Sequence, residues 1–392
     1  MSTQTPEGGP LAGLRVIEVA GIGPGPFAAM MLADMGAEVL RIDRASAVPP
    51  MQPVDPSWDL LGRSRRSVAV DLKNPEGGEC VLRLCESADV LIEGFRPGVA
   101  ERLGFGPTEA LARNSTLVYG RMTGFGQTGP LASAAGHDIN YVAISGALYH
   151  MGPADAPPVP PLNLVGDFGG GGMLLAVGIL AALHERSTSG KGQVVDAAMV
   201  DGSALLTTVQ HSIAAMGMWN VERGTNIVDG GAPFYGTYET SDGKYLAVGP
   251  IEDRFRLEFA TILGLDVAEL GDPSDPTEWP KGHDRVAEVI RQRTAEDWLS
   301  RTDGTDACVT PILSIFDAPD HPHNQARQVF CEVDGIAQPS PAPRFDRTPS
   351  PNPTGAPNPG EHTDEGLAAW GFSDAEIGKL RDAGVVAQIP NG

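Results

Sequence analysis

The sequence predicts an α/β protein with a Rossmann-like large domain and a smaller α+β domain. From Leu14 onward, short apolar stretches alternate with helical patterns, which is typical of a parallel sheet crossed by helices. The composition, with 41% hydrophobic residues, 20% charged residues and 49 glycines, indicates a sizeable core and many tight turns. The length of 392 residues exceeds what one ordinary core fills, so two domains are expected.

The chain opens with a pattern for a βαβ unit. Residues 14–19 predict a buried strand, residues 27–35 a helix, and residues 38–43 the next strand. The turn at 21–26, Gly-Ile-Gly-Pro-Gly-Pro, invites a dinucleotide-binding interpretation. Its glycines are spaced GxGxG rather than GxGxxG, and its prolines remove two N–H donors that a pyrophosphate would need. A tight strand-to-helix turn explains the glycines by itself.

Further patterns extend the same sheet. They predict strands at 68–73, 89–92, 117–122 and 193–199, and helices at 76–88, 98–105, 107–113, 173–183 and 201–216. The helix at 173–183 is apolar on every face, which predicts that it is buried and too short to span a membrane.

From about Gly224 the patterns change to those of a second domain. They predict strands at 226–231, 234–239, 244–249 and 307–312 and helices at 254–263, 285–293 and 295–300, with a hairpin turn at Asp242-Gly243. We therefore expect a large domain of residues 1–224, completed by 333–392, and a small domain of residues 225–332. The proline-rich stretch 339–359 predicts an extended strap, and Ser373 with Glu376 predicts the capping box of a last helix.

The formal net charge of −22 argues against nucleic acid or an anionic membrane as a partner. Cys80, Cys85, Cys308 and Cys331 have no metal-site spacing, which predicts buried, unpaired thiols in a reducing, cytoplasmic compartment. The polar N-terminus, residues 1–10, shows no secretory signal pattern, and the C-terminal residues show no peroxisomal signal.

Arginines cluster near the predicted strands of this acidic chain. As a set they predict a polyphosphate site at the sheet crevice, although each alone fits a solvated surface residue: Arg41, Arg44, Arg63, Arg65, Arg66 and Arg96.

His137 and Asp167 lie in two glycine-rich segments. They predict a proton-handling pair beside a helix that starts after Gly169, where backbone N–H groups could stabilise a developing oxyanion. Each residue also has a simpler interpretation. Asp167 could be only a helix N-cap, and a single histidine in a loop is usually structural.

The sequence resembles the class III CoA-transferase (CaiB/BaiF) family at residues 20–26, 94–98, 121–130, 136–141 and 166–171, within a match from Leu11 to about Arg347. The resemblance implies a Rossmann-like large domain and a small domain in an interlocked homodimer. It also implies coenzyme A contacts from Arg44, Val70, Asp71, Leu72, Lys73, Gly94, Phe95, Arg96, Arg102, Gly136, Asp138, Ile139, Asn140 and Tyr141.

Within that family, transferases use the aspartate that matches Asp167 as a nucleophile and lack the matching histidine. Because His137 is present, the pattern is closest to the racemases. It implies an isomerase of lipid metabolism that interconverts (R)- and (S)-2-methylacyl-CoA through an enolate. His137 would serve the S face and Asp167 the R face, with Glu252 reaching His137 from the other subunit and Asp138 supporting the loop.

Two alternatives remain open at this point. One is an acyl-CoA:carboxylate CoA-transferase with Asp167 as nucleophile, and the other is a CoA-ester-binding protein without turnover. The racemase hypothesis requires no cofactor beyond the CoA ester itself, and it leaves the acyl group undetermined. Phe27 departs from close relatives, which often have histidine there, and indicates a change in pocket lining or packing.

Overall fold

The computed structural model describes residues 8–48 and 55–389, so the N-terminal stretch before Gly8 and the last three residues lie outside the described residues. The expectations about a secretory signal and a C-terminal signal depend on those parts. The chain forms two compact units. The first is Met1–Ser145, Leu162–Leu206 and Asn324–Gly392, and the second is Gly146–Pro161 and Thr207–His323. The domain boundaries drawn from composition stay predictions.

Strands and helices alternate through most of the first unit. In chain order the strands are β1 (Arg15–Val19), β2 (Glu38–Arg44), β3 (Arg66–Val70), β4 (Val90–Glu93), β5 (Val118–Thr123), β6 (Val194–Ala198), β7 (Gly236–Glu239), β8 (Tyr245–Val248), β9 (Val309–Pro311), β10 (Phe330–Val333), β11 (Ile336–Pro339) and β12 (Val386–Ala387). The helices are α1 (Pro24–Asp34), α2 (Pro75–Cys85), α3 (Val99–Arg102), α4 (Pro107–Arg113), α5 (Asp138–Ile144), α6 (Leu174–Ser189), α7 (Met199–Leu205), α8 (Thr208–Ala215), α9 (Asp253–Leu263), α10 (Trp279–Ile290), α11 (Ala295–Thr302), α12 (Pro322–Arg327), α13 (Thr363–Ala369) and α14 (Asp374–Asp382). A π-helical segment, Leu164–Met173, leads directly into α6.

The first unit is built on a seven-stranded sheet in the order β12-β3-β2-β1-β4-β5-β6. All neighbours are parallel except β12, which runs antiparallel to β3. The predicted α/β fold with a large parallel sheet is confirmed. Because the chain extends the sheet from β1 first to one side and then to the other, a crevice opens at the carboxyl ends of the central strands.

Apolar side chains on both faces of the sheet form two cores. Along β1, Ile17 and Val19 pack on one face and Val16 on the other, as the alternation of a strand requires. The C-terminal segment supplies part of the first core through Leu367 and Trp370. α13, α14 and β12 therefore complete the first unit, and of these only α14 was predicted.

The second unit contains the antiparallel sheet β7-β8-β9, and the hairpin turn predicted at Asp242-Gly243 joins β7 to β8. The strand predicted at 226–231 is wrong. Residues Ile227–Gly231 form a single π-helical turn instead. The Asn226 side chain accepts the Asn220 N–H, and the Asp229 side chain accepts the N–H groups of Gly224, Asn226 and Gly231. These bonds give the backbone around the turn a local alternative to sheet pairing.

Two other local predictions are wrong. Residues predicted as one helix, 201–216, form the separate helices α7 and α8. The four cysteines are free, but Cys308 is exposed and Cys331 half-buried, so only Cys80 and Cys85 are the buried thiols that were expected. The first of these departures arises because the periodic pattern does not show where the chain bends.

The helical segment Leu164–Ser189 is longer than the sequence predicted. It spans 26 residues, and the mean hydropathy of its most apolar 18-residue window is 1.7. By length and composition alone it could cross a membrane, so the expectation that it is too short was wrong. Only 39% of that window is buried inside the chain, so the expectation that the helix is buried on every face was wrong as well. Core helices of soluble proteins meet the same criterion, so the segment by itself indicates only an apolar face.

Candidate active site

A cavity of about 330 Å³ opens in the first unit at the carboxyl edge of the sheet. Its wall includes the turn at 21–26 after β1, the segment Gly94–Pro97 after β4, and residues 122–125 at the end of β5. His137 and Asp167 both line it, although they belong to different elements. The structure thus brings together the two residues that the sequence singled out for proton transfer.

His137 is exposed and lies immediately before α5, where the sequence predicted a loop. Its backbone N–H donates to Asn140 Oδ1 at 3.0 Å, and its carbonyl accepts from the Asn140 N–H at 2.8 Å. The Tyr141 hydroxyl donates to the carbonyl of Gly136. The Tyr141 ring packs edge-on against Phe125, with the two ring centres 4.8 Å apart. These contacts fix the backbone on both sides of His137.

Asp167 is half-buried and lies in the π-helical segment. Its backbone N–H donates to Asp138 Oδ2 at 2.7 Å, and its own Oδ2 accepts from Asn163 Nδ2 at 3.2 Å. Partial burial raises the pKa of the Asp167 carboxyl, the Asn163 hydrogen bond lowers it, and the charge of Asp138 raises it. Proximity to His137 lowers it, and the net pKa lies above that of an ordinary aspartate.

The helix start predicted after Gly169 is wrong. The helical backbone begins at Leu164, so the N–H groups of the glycine run lie inside a π-helical turn, where each is directed at a carbonyl five residues earlier. The glycines instead permit close packing. A Cβ at Gly170 would lie 2.7 Å from the backbone nitrogen of Ser203, and one at Gly172 would lie 2.7 Å from Phe27 Cδ1.

The residues predicted to bind coenzyme A occupy several positions along the carboxyl edge of the sheet. Gly94, Phe95, Arg96, Gly136 and Tyr141 line the cavity itself. Arg44 is exposed at the end of β2, and Lys73 is exposed three residues after β3. Asp71 and Leu72, which connect β3 to Lys73, are half-buried. Their contact with coenzyme A stays a prediction.

Other members of that set differ in exposure. Arg102, Ile139 and Asn140 are exposed. Val70 is completely buried and Asp138 is 6% exposed. Neither residue is accessible to a ligand to any large extent in the described structure, so these two are the weakest members of the predicted set.

Three of the six arginines that were predicted to bind a polyphosphate instead form buried ion pairs within the chain. Arg41 pairs with Asp43 and Asp59, Arg63 pairs with Asp34, and Arg65 pairs with Glu18. All three arginines are less than 9% exposed. The polyphosphate prediction is therefore wrong for these arginines, because a buried guanidinium that is satisfied by carboxylates is not available to a ligand.

Three residues that sequence reasoning missed support the cavity. Glu93 Oε2 accepts from the Phe95 N–H at 2.7 Å, and Glu93 Oε1 accepts from Arg121 Nε at 2.9 Å. A Cβ at Gly23 would lie 3.5 Å from Asp167 Oδ2, so this turn leaves room for the carboxylate. Asn163 precedes Asp167 by one helical turn, and this i, i+4 spacing is the signal that could have found it.

Glu252 lies in the second unit and directly precedes α9. Its approach to His137 therefore stays a prediction. Among residues 8–48 and 55–389, no group of three or more His, Cys, Asp or Glu side chains has a metal-binding arrangement.

The fold and the cavity correspond to a known family. The family model for CoA-transferase family III matches residues 11–363. A CaiB/BaiF family protein from Brucella suis superimposes with a TM-score of 0.79 at 26% identity, covering 93% of this chain and 100% of the other. The chain therefore belongs to CoA-transferase family III, as its motifs indicated.

Two curated relatives are more similar in sequence. Alpha-methylacyl-CoA racemase from Mus musculus is 45% identical over 379 residues, covering 96% of this chain and 97% of that protein. Alpha-methylacyl-CoA racemase from Homo sapiens is 44% identical over 380 residues with the same coverage.

Proposed function

We propose that this protein is an isomerase of the α-methylacyl-CoA racemase type, which interconverts (R)- and (S)-2-methylacyl-CoA thioesters. Its similarity to the mouse and human racemases, at 45% and 44% identity along nearly the whole chain, supports this activity. The observation that carries the proposal is that His137 and Asp167, on separate elements, line one cavity. Racemisation needs two such groups, one for each face of the substrate.

In the proposed reaction one proton leaves C2 and another is added to C2 from the opposite face, and no oxidation state changes. Starting from the (S)-ester, the neutral imidazole of His137 removes the proton on C2, and the electron pair of that C–H bond forms the thioester enolate. Protonated Asp167 then gives its proton to C2 from the opposite face, which yields the (R)-ester. The reverse reaction starts with ionised Asp167 and protonated His137.

The raised pKa of Asp167 suits this cycle. An aspartate with an ordinary pKa near 3.9 is almost never protonated at neutral pH, so it is a poor proton donor to an enolate. Partial burial and the neighbouring charge of Asp138 stabilise the protonated form. We propose that Glu252 orients His137 from the partner subunit and stabilises its imidazolium.

We propose that the coenzyme A part of the substrate lies along the carboxyl edge of the sheet. The exposed cations Arg44, Lys73, Arg96 and Arg102 are suited to its phosphates. The Gly94–Arg96 turn would hold the part of coenzyme A that connects its phosphates to the thioester, since this turn borders the cavity lined by His137. The reaction needs no cofactor other than this CoA ester, and full activity after dialysis against a chelator would support that part of the proposal.

We also propose that the protein is a cytoplasmic homodimer. Several apolar side chains of the first unit are more than 40% exposed in the single chain: Ile144, Leu164, Met173, Val177, Leu205 and Leu206. An apolar surface of this kind marks an interaction site, and a second copy of the chain is the partner that the family resemblance implies. Free cysteines support a reducing compartment, which cell fractionation would test.

The test of the activity is incubation with (S)-2-methylacyl-CoA in D2O. Deuterium at C2 would be measured by mass spectrometry and the configuration by chiral chromatography. We expect exchange with inversion, reduced by at least about 100-fold in His137→Ala and in Asp167→Ala. His184→Ala, which alters an exposed histidine of α6, is the matched control and should retain activity.

A different result would establish the transferase alternative. In that case C2 would not exchange, CoA would pass to an added carboxylate, and hydroxylamine would trap an intermediate on Asp167. Binding of the CoA ester with neither outcome would indicate a protein without turnover.

A further inference from the structure

The carboxylate of Asp138 is buried against the backbone that carries Asp167. Asp138 is 6% exposed, and its Oδ2 accepts the Asp167 N–H at 2.7 Å. The other oxygen, Oδ1, is buried and has no hydrogen-bond partner among the residues that the structure describes. A buried carboxylate with one oxygen unsatisfied is costly, so its presence at this position calls for a role.

The surrounding backbone leaves room for that carboxylate. A Cβ at Gly166 would lie 2.4 Å from Asp138 Oδ2 and 3.1 Å from Val142 Cγ2. Gly166 therefore allows the carboxylate to approach the helical segment closely enough to bind the N–H of Asp167. Asp138 also starts α5 directly after His137, so the same residue adjoins both members of the proposed pair.

We infer that Asp138 is a positioning residue for Asp167, whose side chain holds the backbone of Asp167 in place and sets a second negative charge beside its carboxylate. This inference rests on the proposed racemase function. Its chemical consequence is that protonated Asp167 is favoured over the ionised form, because two neighbouring carboxylates resist full ionisation.

Asn163 opposes Asp138. Its amide donates to Asp167 Oδ2 at 3.2 Å, which favours the ionised carboxylate. The two neighbours therefore shift the pKa of Asp167 in opposite directions, upward for Asp138 and downward for Asn163. This opposition provides a signature that a purely structural role would not produce.

Other charged groups on the elements packed against Leu164–Met173 are few, and each has a different partner or position. His137, just before α5, and Tyr141 of α5 line the cavity, where Arg96 is also present. α7 carries the exposed Asp201. In α6, His184 is exposed, Glu185 accepts from the Ser189 hydroxyl and Arg186 pairs with Asp89. Three further groups are engaged elsewhere: Asp34 of α1 with Arg63, Arg121 of β5 with Glu93 and Glu101, and Asp196 of β6 with the Gln127 N–H.

The experiment measures the pH profile of C2 deuterium exchange in three variants. The active enzyme holds one proton between His137 and Asp167, so the profile of kcat/KM is bell-shaped and its acidic limb reports protonation of Asp167 in the singly protonated pair. Asp138→Asn keeps an acceptor for the Asp167 N–H but removes the charge. We expect its acidic limb to move to lower pH by roughly half to one unit.

Asn163→Ala should move the acidic limb in the opposite direction, to higher pH, because it removes the donor that stabilises the ionised carboxylate. Asp201→Asn is the control for loss of a charge on an adjoining element, and its limb should stay in place. Thermal denaturation of each variant shows whether it is folded. Should Asp138→Asn fail to fold, Asp138→Ser removes the same charge with a smaller side chain that still carries an acceptor.

Two results would overturn the inference while leaving the racemase function intact. One is a wild-type rate and a wild-type acidic limb in the Asp138 variant that folds, and the other is a lower rate in that variant with no change in the pH profile. Absence of C2 exchange in the wild-type protein would instead overturn the proposed function, and the inference with it.

Discussion

At the scale of single residues, the geometry of the cavity depends on a few close approaches that only glycine permits. The backbone angles of Gly166 are ones that any residue type can adopt. A Cβ at this position would nevertheless lie 2.4 Å from Asp138 Oδ2. A methyl group at this position must displace the carboxylate that holds the Asp167 N–H. Proton transfer is sensitive to such displacements because the reacting groups must stay within hydrogen-bonding reach of C2.

We therefore predict that Gly166→Ala lowers the rate of C2 exchange by about 10- to 100-fold. The protein should stay folded, since the change adds one methyl group at a position without a left-handed backbone. Deuterium exchange and circular dichroism, measured on the same preparation, check both parts. An exchange rate within twofold of wild type would show that the Asp138 carboxylate can move without consequence.

The buried carboxylate of Glu93 gives a second prediction, which concerns the proposed CoA-binding turn. In Glu93→Gln one oxygen remains to serve both the Phe95 N–H and Arg121 Nε, so one of these contacts is lost. We expect the KM for the CoA ester to rise about 10-fold with little change in kcat, since a hydrogen bond to a charged group contributes about 1.5 to 3 kcal/mol. Steady-state kinetics would measure this separation of KM from kcat.

The control for that variant is Glu109→Gln, which alters an exposed glutamate of α4 and should leave both constants unchanged. If Glu93→Gln lowered kcat and left KM unchanged, the role assigned to the Gly94–Arg96 turn would be wrong.

At the scale of secondary-structure elements, the C-terminal segment is an integral part of the first unit. Trp370 is 1% exposed in the core beneath the sheet, and its Nε1 donates to Glu38 Oε1 at 2.9 Å. The guanidinium of Arg15 lies 4.0 Å from the centre of its ring. β12 adds hydrogen bonds to β3 at the sheet edge. These contacts tie residues far apart in the chain to one core.

We predict that Trp370→Ala lowers the free energy of unfolding by about 3 to 5 kcal/mol, the usual cost of removing a large buried aromatic side chain. Urea denaturation followed by circular dichroism would measure the change. A loss below about 1 kcal/mol would show that the C-terminal segment packs only loosely.

Gly378→Ala is a control in the same segment that should raise the free energy of unfolding instead of lowering it. Gly378 lies inside α14, and a Cβ there would meet no atom within 4 Å. Alanine is the better helix former, so this variant should be more stable by about 0.5 to 1 kcal/mol. The pair of variants separates the packing of the segment from its helical propensity.

At the scale of the whole molecule, the first unit exposes several large apolar side chains on its surface. Val177 is 62% exposed although it lies in the apolar N-terminal half of α6. The same helix buries Leu175 and Ile179 in the core, so its opposite side is free for a partner. A second copy of the chain would cover it without requiring any other protein.

We predict that wild-type protein has a solution mass of twice the chain mass of 41.0 kDa, and that Val177→Asp lowers it toward that of one chain. Burying an aspartate in an apolar interface is unfavourable, which is the physical reason for the expected dissociation. Light scattering after size exclusion would measure both masses. Ser187→Asp introduces the same charge at a polar position of α6 and should remain dimeric.

A wild-type monomer that co-sediments with lipid vesicles would contradict this proposal and assign the apolar face of α6 to a membrane. If the dimer forms as proposed, Glu252→Gln should lower C2 exchange, since that residue would then reach His137 across the interface.

From the amino-acid sequence alone we could predict the parallel sheet, most of its strands, and a site that contains His137 and Asp167. Strand periodicity and short glycine-rich turns are local properties, so they can be recognised without knowing the fold. The family could also be predicted from the sequence, because each of its motifs is a contiguous stretch of residues. Local reasoning failed where a side chain replaced regular backbone pairing, as Asn226 and Asp229 do in the turn that was predicted to be a strand.

Which polar residues are available for chemistry depends on the three-dimensional fold. Arg41, Arg63 and Arg65 follow the same pattern in the sequence as Arg44 and Arg96. Each nevertheless pairs with a carboxylate from a separate segment of the first unit, namely Asp59, Asp34 and Glu18 respectively. The helix start at Leu164 and the buried contact of Asp138 with Asp167 also depend on how separate segments pack. Burial and pairing are properties of three-dimensional neighbours, and for these residues the neighbours lie far away in the chain.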